Sequence, residues 1–295
     1  MRSRADAVLV DRGLAASRTL AQRLIAAGSV WVDDGSGART VIRSSEVIAP
    51  GSALGVDAAD PSLRYVSRGG LKLEPALARL RVLGLQGLTE RPDDPGPDPG
   101  PGPGPKPGPD PGAPGTGLRH DSVGLVALDI GLSTGGFTDC LLRHGVQRVV
   151  GVDVGHGQLH PRLATDPRVR SFEGLNARAL DAAMLGDAMP ALGFGLATID
   201  VSFIALDAVL PAVVALIGEC GWLVALVKPQ FELGPAVRDR HGIVRDSRLY
   251  GPLLDRLAAS CLALNCTVRE TLDSPLRGGD GNREFLLIVQ KNSVF

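Results

Sequence analysis

The stretch PDDPGPDPGPGPGPKPGPDPGAPG, residues 92–115, holds 11 of the chain's 22 prolines. Proline has no amide hydrogen to donate and glycine is conformationally too free, so neither helix nor sheet can run through it. Glycine does not recur at every third position, which excludes a collagen repeat. The stretch reads as an extended, disordered insert over 91–117. It parts residues 1 to about 90 from residues about 118 to 295. The two parts can still close across it, because lengthening a surface loop adds little closure entropy.

The N-terminal part divides again. Ala5, Val8, Leu9 and Leu14 fall at helical spacing over residues 4–13. Ser17 is placed to cap a second helix, RTLAQRLIAAG, with Leu20, Leu24 and Ile25 on one face and Gly28 as its stop. SVWVDDGSG follows as strand and turn, and VIRSSEVIAPGSALGVD as short strands. This predicts a compact two-helix unit with a small sheet, ending near residue 60. Its first 23 residues carry Arg2, Arg4, Arg12, Arg18 and Arg23 against Asp6 and Asp11. The formal net charge of the whole chain is -1. No global basic field exists, so a nucleic-acid site has to be a local patch of this kind. An ordinary solvated helix face accounts for the same arginines.

From residue 118 onward the pattern alternates. LVALDIG, RVVGVDVG, LATIDVSF, GWLVALVKP and EFLLIVQ read as strands. FTDCLLRHG, the region after Phe203 and SRLYGPLLDRLAASCLALN read as helices. Such alternation predicts a doubly wound α/β sheet, and a hydrophobic content of 44% can fill its core. In sheets of this kind the ligand sits beyond the carboxyl ends of the strands, where Asp129, Asp153, Asp200 and Lys228 fall. The most membrane-like stretch, residues 203–227, is broken by Asp207, Pro211, Glu219 and Gly221. It reads as a helix ending near Gly218 and a buried strand, not a span. The N-terminus has no secretory pattern, and a cytoplasmic protein is expected. Cys140, Cys220, Cys261 and Cys266 are too scattered for a disulfide framework or a zinc site, and read as reduced thiols. His156 and His160 are four apart, but no third ligand accompanies them, so no metal is expected.

The glycine-rich turn in ALDIGLSTGGFTDCLL, residues 127–142, asks for a ligand. A dinucleotide fold requires a second glycine where Ser133 stands. A phosphate-binding loop fits residues 131–138, GLSTGGFT, except that Phe137 replaces the lysine that would reach the phosphates. Both phosphate readings fail at a chemically necessary position. What remains is a small-residue turn that admits a ligand close to the backbone. Asp153, ending the next strand, suits a ribose hydroxyl pair, and Asp129 suits an amino group. A nucleoside carrying an amino acid satisfies both, which points to S-adenosylmethionine. Gly131, Ser133, Thr134, Gly135, Gly136 and Asn176 complete the candidate cofactor set. Aspartates at strand ends also occur simply as strand terminators.

Motifs from one end of the chain to the other resemble the TlyA, or haemolysin A, family of RNA 2'-O-methyltransferases. RADAVLVDRGLAASRTLAQRLIAAGSVWVDD resembles an S4-type RNA-binding unit. YVSRGGLKLEPAL resembles the family's linker and first methyltransferase helix, and LDIGLSTGGFTDCLL its cofactor loop. DVSFIAL, LVKPQFELG and GGDGNREFLL resemble its later blocks. The resemblance implies an S4-like domain over 1–62 and a Rossmann-like, FtsJ-like methyltransferase domain over 63–295, with residues 63–70 as linker. It implies a Lys-Asp-Lys-Glu set at Lys72, Asp200, Lys228 and Glu284, and RNA contacts at Arg4, Arg12, Arg18, Arg23 and Arg68.

A ribose 2'-hydroxyl is a poor nucleophile and needs a base at the moment of attack. Lys228 is expected to take the proton, with burial and the Lys72 cation lowering its affinity for one. Asp200 would orient Lys228, and Glu284 the remaining polar groups. DVSF lacks the paired prolines with which many amino-methylating enzymes grip a planar base. The implied substrate is cytidine ribose in small- or large-subunit ribosomal RNA, free or in subunits, and not DNA, which lacks the hydroxyl. Two departures stand out. Leu132 replaces a smaller residue and would narrow the cofactor site if it pointed inward, and Lys72 must fold back across the insert. The alternatives are a membrane-active haemolysin, for which no export signal or spanning segment is found, and a catalytically silent rRNA-binding assembly factor.

Overall fold

The structure, a computed structural model, describes residues 3–15, 17–89 and 124–293. The insert expected over 91–117 lies outside the described residues. The first elements are β1 (Ser3–Arg4), α1 (Ala5–Asp11), α2 (Arg18–Ala26), β2 (Val30–Asp33), β3 (Ala38–Thr40), β4 (Val47–Ile48) and β5 (Ala53–Val56). Ser17 caps α2 as its sequence position requires, its hydroxyl accepting from the Leu20 amide at 3.2 Å. Gly28 ends the helix at φ +76°. Strand β2 is the centre of an antiparallel sheet between β3 and β5. One apolar cluster, including Leu9, Leu24, Ile25, Val30 and Val32, joins both helices to this sheet. The strand β3 has no apolar face, all three residues being exposed, so periodicity gave no sign of it.

The rest of the chain supplies α3 (Arg68–Val82), β6 (Val126–Ile130), α4 (Gly136–Arg143), β7 (Arg148–Asp153), α5 (Pro161–Ala164), β8 (Val169–Glu173) and α6 (Ala182–Leu185). It continues with β9 (Phe194–Ile199), α7 (Leu210–Leu216), β10 (Ile217–Val227), α8 (Pro229–Glu232), α9 (Tyr250–Ala263), β11 (Cys266–Asp273) and β12 (Phe285–Lys291). Seven strands form one sheet in the order β11-β12-β10-β9-β6-β7-β8. Only β12 is reversed, pairing antiparallel with both neighbours. The expected doubly wound, Rossmann-like α/β fold is present.

Side-chain alternation builds its two cores. Leu223, Ala225 and Val227 of β10 face one cluster with α7 and α9, and Trp222, Val224 and Leu226 face another with α3 and α4. Strands β8 and β11 were not expected from the sequence. Both are edges, half-exposed and studded with charge (VRSFE, CTVRETLD), so neither shows a buried run or a clean alternation. The membrane-like stretch splits into α7 and β10, and no helix among the described residues is long and apolar enough to cross a membrane.

The chain leaves β8 at one edge and re-enters the sheet at β9, on the other side of β6. That switch opens a crevice beyond the carboxyl ends of β6 and β9. Helix α3 closes one side of it. The buried Asp139 of α4 accepts from the Val66 amide at 2.8 Å, and Arg64 pairs with Glu74 at 2.7 Å, so the segment entering α3 is tied down at both ends. The start of α3 then lies on the start of α4 at Gly136. A Cβ there would stand 3.1 Å from Gly69 Cα and 3.1 Å from Gly70 N, and closer still to the Ser67 hydroxyl. Backbone cannot yield as a side chain can. We expect Gly136→Ala to lower the unfolding free energy by about 1–3 kcal/mol, measured by denaturant titration; a neutral change would show that α3 is not seated on α4 as described.

Candidate active site

Two cavities share the crevice. The larger, about 470 Å³, lies over the ends of β6, β7 and β9, with Asp153, Val154, Leu175, Asn176 and Val209 in its wall. The smaller, about 190 Å³, lies between α3 and the glycine turn, with Arg68, Lys72, Thr134, Gly136 and Phe137 in its wall. Gly131, Ser133 and Asp200 line both. The turn can come this close to β9 only because residue 131 is glycine: its φ is +87°, and a Cβ would strike the Asp200 carbonyl. Ser133 is held at φ +44°, and its amide donates to Asp153 Oδ2 at 2.7 Å. Asp153 Oδ1 accepts from the Gly155 amide at 2.7 Å. Each carboxylate oxygen keeps a lone pair that can accept from a hydroxyl.

The four residues of the implied Lys-Asp-Lys-Glu set come together as two ion pairs. Lys72 Nζ meets Glu284 Oε2 at 2.5 Å, buried, across 212 residues of sequence. Lys228 Nζ lies 2.7 Å from Asp200 Oδ1 and donates to Ser202 Oγ at 3.0 Å. Lys72 reaches the smaller cavity and Asp200 lines both, whereas Lys228 and Glu284 stand behind them as partners. Ser202 was not singled out in the sequence, although it lies inside the DVSF motif. Nor was Phe203, which lines the larger cavity at φ +64°, 89% exposed, with its ring 4.9 Å from that of Phe231.

Several expected ligand contacts fall elsewhere. Asp129 lines neither cavity. It is fully buried, and its two oxygens accept from the hydroxyls of Thr138 and Thr198, each at 2.7 Å. Its work is to fasten α4 to β9 beneath the glycine turn, not to meet an amino group. Gly135 also lines neither cavity; at φ +89° it turns the chain into α4. Leu132 is 3% exposed and folds back onto β7, where a Cβ at Gly151 would stand 2.7 Å from its methyls. It is absent from the wall of the larger cavity but does line the smaller one. His156 lies in a turn rather than on a helix shared with His160.

Among the arginines, Arg68 lines the smaller cavity. Arg4 and Arg18 converge instead on the buried Asp6, at 3.0 and 3.3 Å. The Arg4 guanidinium holds the Asp6 carboxyl well below the usual carboxylate range. Arg12 donates to the Ser52 carbonyl at 2.7 Å. Arg23 buries its Nε with no hydrogen-bond partner, and burial, with Arg68 nearby, lowers the proton affinity of its guanidinium.

Burial pushes the Asp129 carboxyl up to about 6, against the lowering pull of its two hydroxyl donors. A carboxyl that binds its proton more tightly folded than unfolded favours the fold at low pH. Its contribution is full below about pH 4 and is lost as the pH rises through about 6. An asparagine can accept from one threonine and donate to the other without carrying charge. Asp129→Asn is therefore expected to abolish a loss of stability on the order of 3 kcal/mol between pH 4 and 7, read as the difference between wild-type and variant unfolding profiles. Parallel profiles would contradict this reading of the buried carboxyl.

Comparison with known proteins bears on the same crevice. Residues 65–291 match the model of the FtsJ-like methyltransferase family. The chain is 34% identical over 286 residues to 16S/23S rRNA (cytidine-2'-O)-methyltransferase TlyA of Mycobacterium tuberculosis, covering 97% of this chain and 89% of that one. It is 30% identical over 285 residues to Hemolysin A of Brachyspira hyodysenteriae, covering 96% and 98%. A solved structure of a Streptococcus thermophilus chain named as a hemolysin superposes with a TM-score of 0.64 at 34% identity, covering 99% of this chain and 89% of that one. The family match takes in the whole seven-stranded sheet, both cavities and both ion pairs, and the chain belongs to the FtsJ-like methyltransferases.

Proposed function

We propose that this chain transfers the methyl group of S-adenosylmethionine to a ribose 2'-hydroxyl of ribosomal RNA, at cytidine. The observation that carries the reading is the seam where two cavities share Gly131, Ser133 and Asp200, with a lysine paired to an acid on either side. The name of the TlyA relative supports the substrate. The larger cavity fits the cofactor: Val154, Leu175 and Val209 offer apolar wall to an adenine, Asn176 a polar edge, and Asp153 free lone pairs to ribose hydroxyls. When bound, the cofactor supplies a methyl on a sulfonium, whose departure as a neutral thioether needs no metal.

The chain's own residues do the rest. The smaller cavity holds the acceptor ribose, and orientation across the seam supplies much of the acceleration. Lys228 gives its own proton to solvent as the substrate enters and then, as the neutral amine, takes the hydroxyl proton, with Asp200 and Ser202 fixing the direction of its nitrogen. The buried Lys72–Glu284 pair sets the floor of the acceptor cavity and leaves the remaining ammonium hydrogens of Lys72 for ribose oxygens. Residues 1–62 form an S4-like RNA-binding domain that delivers the substrate, and residues 63–295 the catalytic domain; the separate apolar core of the first unit supports this division. A cytoplasmic location follows from such a substrate.

The test is transfer of labelled methyl to ribosomal RNA followed by alkaline hydrolysis. A 2'-O-methyl group removes the nucleophile that cleaves RNA in alkali, so labelled product should survive as dinucleotides. Lys228→Ala should lower the rate by about 10²–10⁴-fold and leave cofactor binding intact. No transfer by wild type would support the silent assembly-factor reading, and full activity in Lys228→Ala would remove the lysine from the mechanism.

A further inference from the structure

Many surface arginines of this chain sit on carboxylates, but three in the loops braced by Asn282 pair with none among the described residues. Residues 233–249, after α8, and residues 274–284, between β11 and β12, fold as one braced unit. Asn282, 1% exposed, is its pin. Its Oδ1 accepts from the Val244 amide at 3.0 Å and its Nδ2 donates to the Gly242 carbonyl at 3.1 Å. Asp239 shapes the first loop by accepting from the His241 amide, the Ile243 amide and Arg245 Nε, at 2.8, 2.9 and 2.6 Å. The Tyr250 hydroxyl donates to the Val244 carbonyl at 2.8 Å.

The unit is seated on the acceptor cavity. A Cβ at Gly278 would stand 2.6 Å from Glu284 Oε1, so the second loop lies directly on the acid that pairs with Lys72. A Cβ at Gly279 would stand 3.9 Å from the Arg68 guanidinium, in the wall of the same cavity. Gly278 and Gly279 thus lie against two residues of the site, Glu284 and Arg68.

Most charge in the unit cancels locally. Asp239 pairs with Arg245, Asp246 with Arg248, Asp273 with Arg283 and Glu284 with Lys72. Arg238, Arg240 and Arg277 have no carboxylate partner among the described residues. Arg238 Nε is shielded from water with nothing to bond. Arg240 Nε meets only His241 Nε2, at 3.0 Å, and Arg277 Nη1 only the Gly281 carbonyl, at 3.1 Å. Asp280 is the one carboxylate of the two loops without a basic partner among the described residues. Guanidinium forks match phosphate oxygens, and a chain of net charge -1 has to hold a polyanion by local contacts.

We propose that this double loop is a second RNA-backbone surface, on which Arg238, Arg240 and Arg277 hold phosphates of the strand flanking the nucleotide whose ribose enters the smaller cavity. The inference rests on the RNA methyltransferase reading. A strand that places a ribose over Lys72 runs beside Glu284 and Arg68, which Gly278 and Gly279 adjoin, and the same braced unit carries the three guanidiniums. The loop braces fix them in position before binding, which limits the entropy lost when they engage.

The test uses the full chain and transcribed small- and large-subunit ribosomal RNA, with affinity measured between about 50 and 200 mM salt. Arg240→Gln and Arg277→Gln should each weaken binding about three- to tenfold and lower the salt slope by about 1. Affinity for S-adenosylmethionine should be unchanged. Arg148→Gln is the control: this exposed arginine, unpaired among the described residues, starts β7, at the far end of the sheet from both cavities. If Arg240→Gln and Arg277→Gln match Arg148→Gln in affinity and slope while wild type binds RNA, the loop surface is overturned and the methyltransferase reading stands. If wild type binds S-adenosylmethionine but no ribosomal RNA, the RNA reading falls and this surface with it.

Discussion

A single buried carboxylate sits under everything this molecule does. Asp129 joins Thr198 on β9 to Thr138 on α4, and so fixes the floor on which the glycine turn rests. Ionised, it stands fully out of water, a cost that its two hydroxyl donors offset only in part. The crevice depends on that floor. Gly131 can press against the Asp200 carbonyl only while β6, β9 and α4 keep this spacing. Ser133 can present its amide to Asp153 only from the same turn. The small volume between the two cavities, where methyl transfer takes place in the proposed reading, is a consequence of how tightly the turn is drawn in.

The four residues of the proposed catalytic set are assembled from distant sequence by packing, not by local motif. Lys72 comes from the helix before the insert and Glu284 from the end of the loop before the last strand, yet they meet at 2.5 Å in a buried site. A buried pair gains little net stability, because desolvation offsets much of the attraction. Its value is positional: removing either partner would leave a charge stranded beside the acceptor cavity. The glycine contact between α3 and α4 holds Lys72 at the required depth. The second pair, Lys228 with Asp200, spans adjacent parallel strands, β10 and β9, so sheet register alone brings the two together.

Much of this was legible in the sequence. Central strands announce themselves as apolar runs, and β6, β7, β9, β10 and β12 were all visible. The edge strands β8 and β11 were not, because a half-exposed strand carries charge at positions that blur the alternation. The residue types of the site were visible at the strand ends, but their directions were not. Asp129 has the position of a ligand-binding acid and points inward, because two threonines far apart in sequence are waiting for it. Leu132 looked too large for its place, and the compensation was a glycine at 151, on a neighbouring strand that no local pattern ties to it. Charge counts also misled in the first helices, where Arg4 and Arg18 turn to a buried aspartate.

The claim on which the account turns is that the larger cavity holds the methyl donor, with Asp153 receiving its ribose. Titration calorimetry with S-adenosylhomocysteine, on wild type and on Asp153→Ala, addresses it without needing an RNA substrate. The account expects one equivalent bound by wild type and an affinity at least about tenfold weaker in the variant, the loss of roughly one charge-assisted hydrogen bond. No heat with wild type, or equal binding by both proteins, would contradict it.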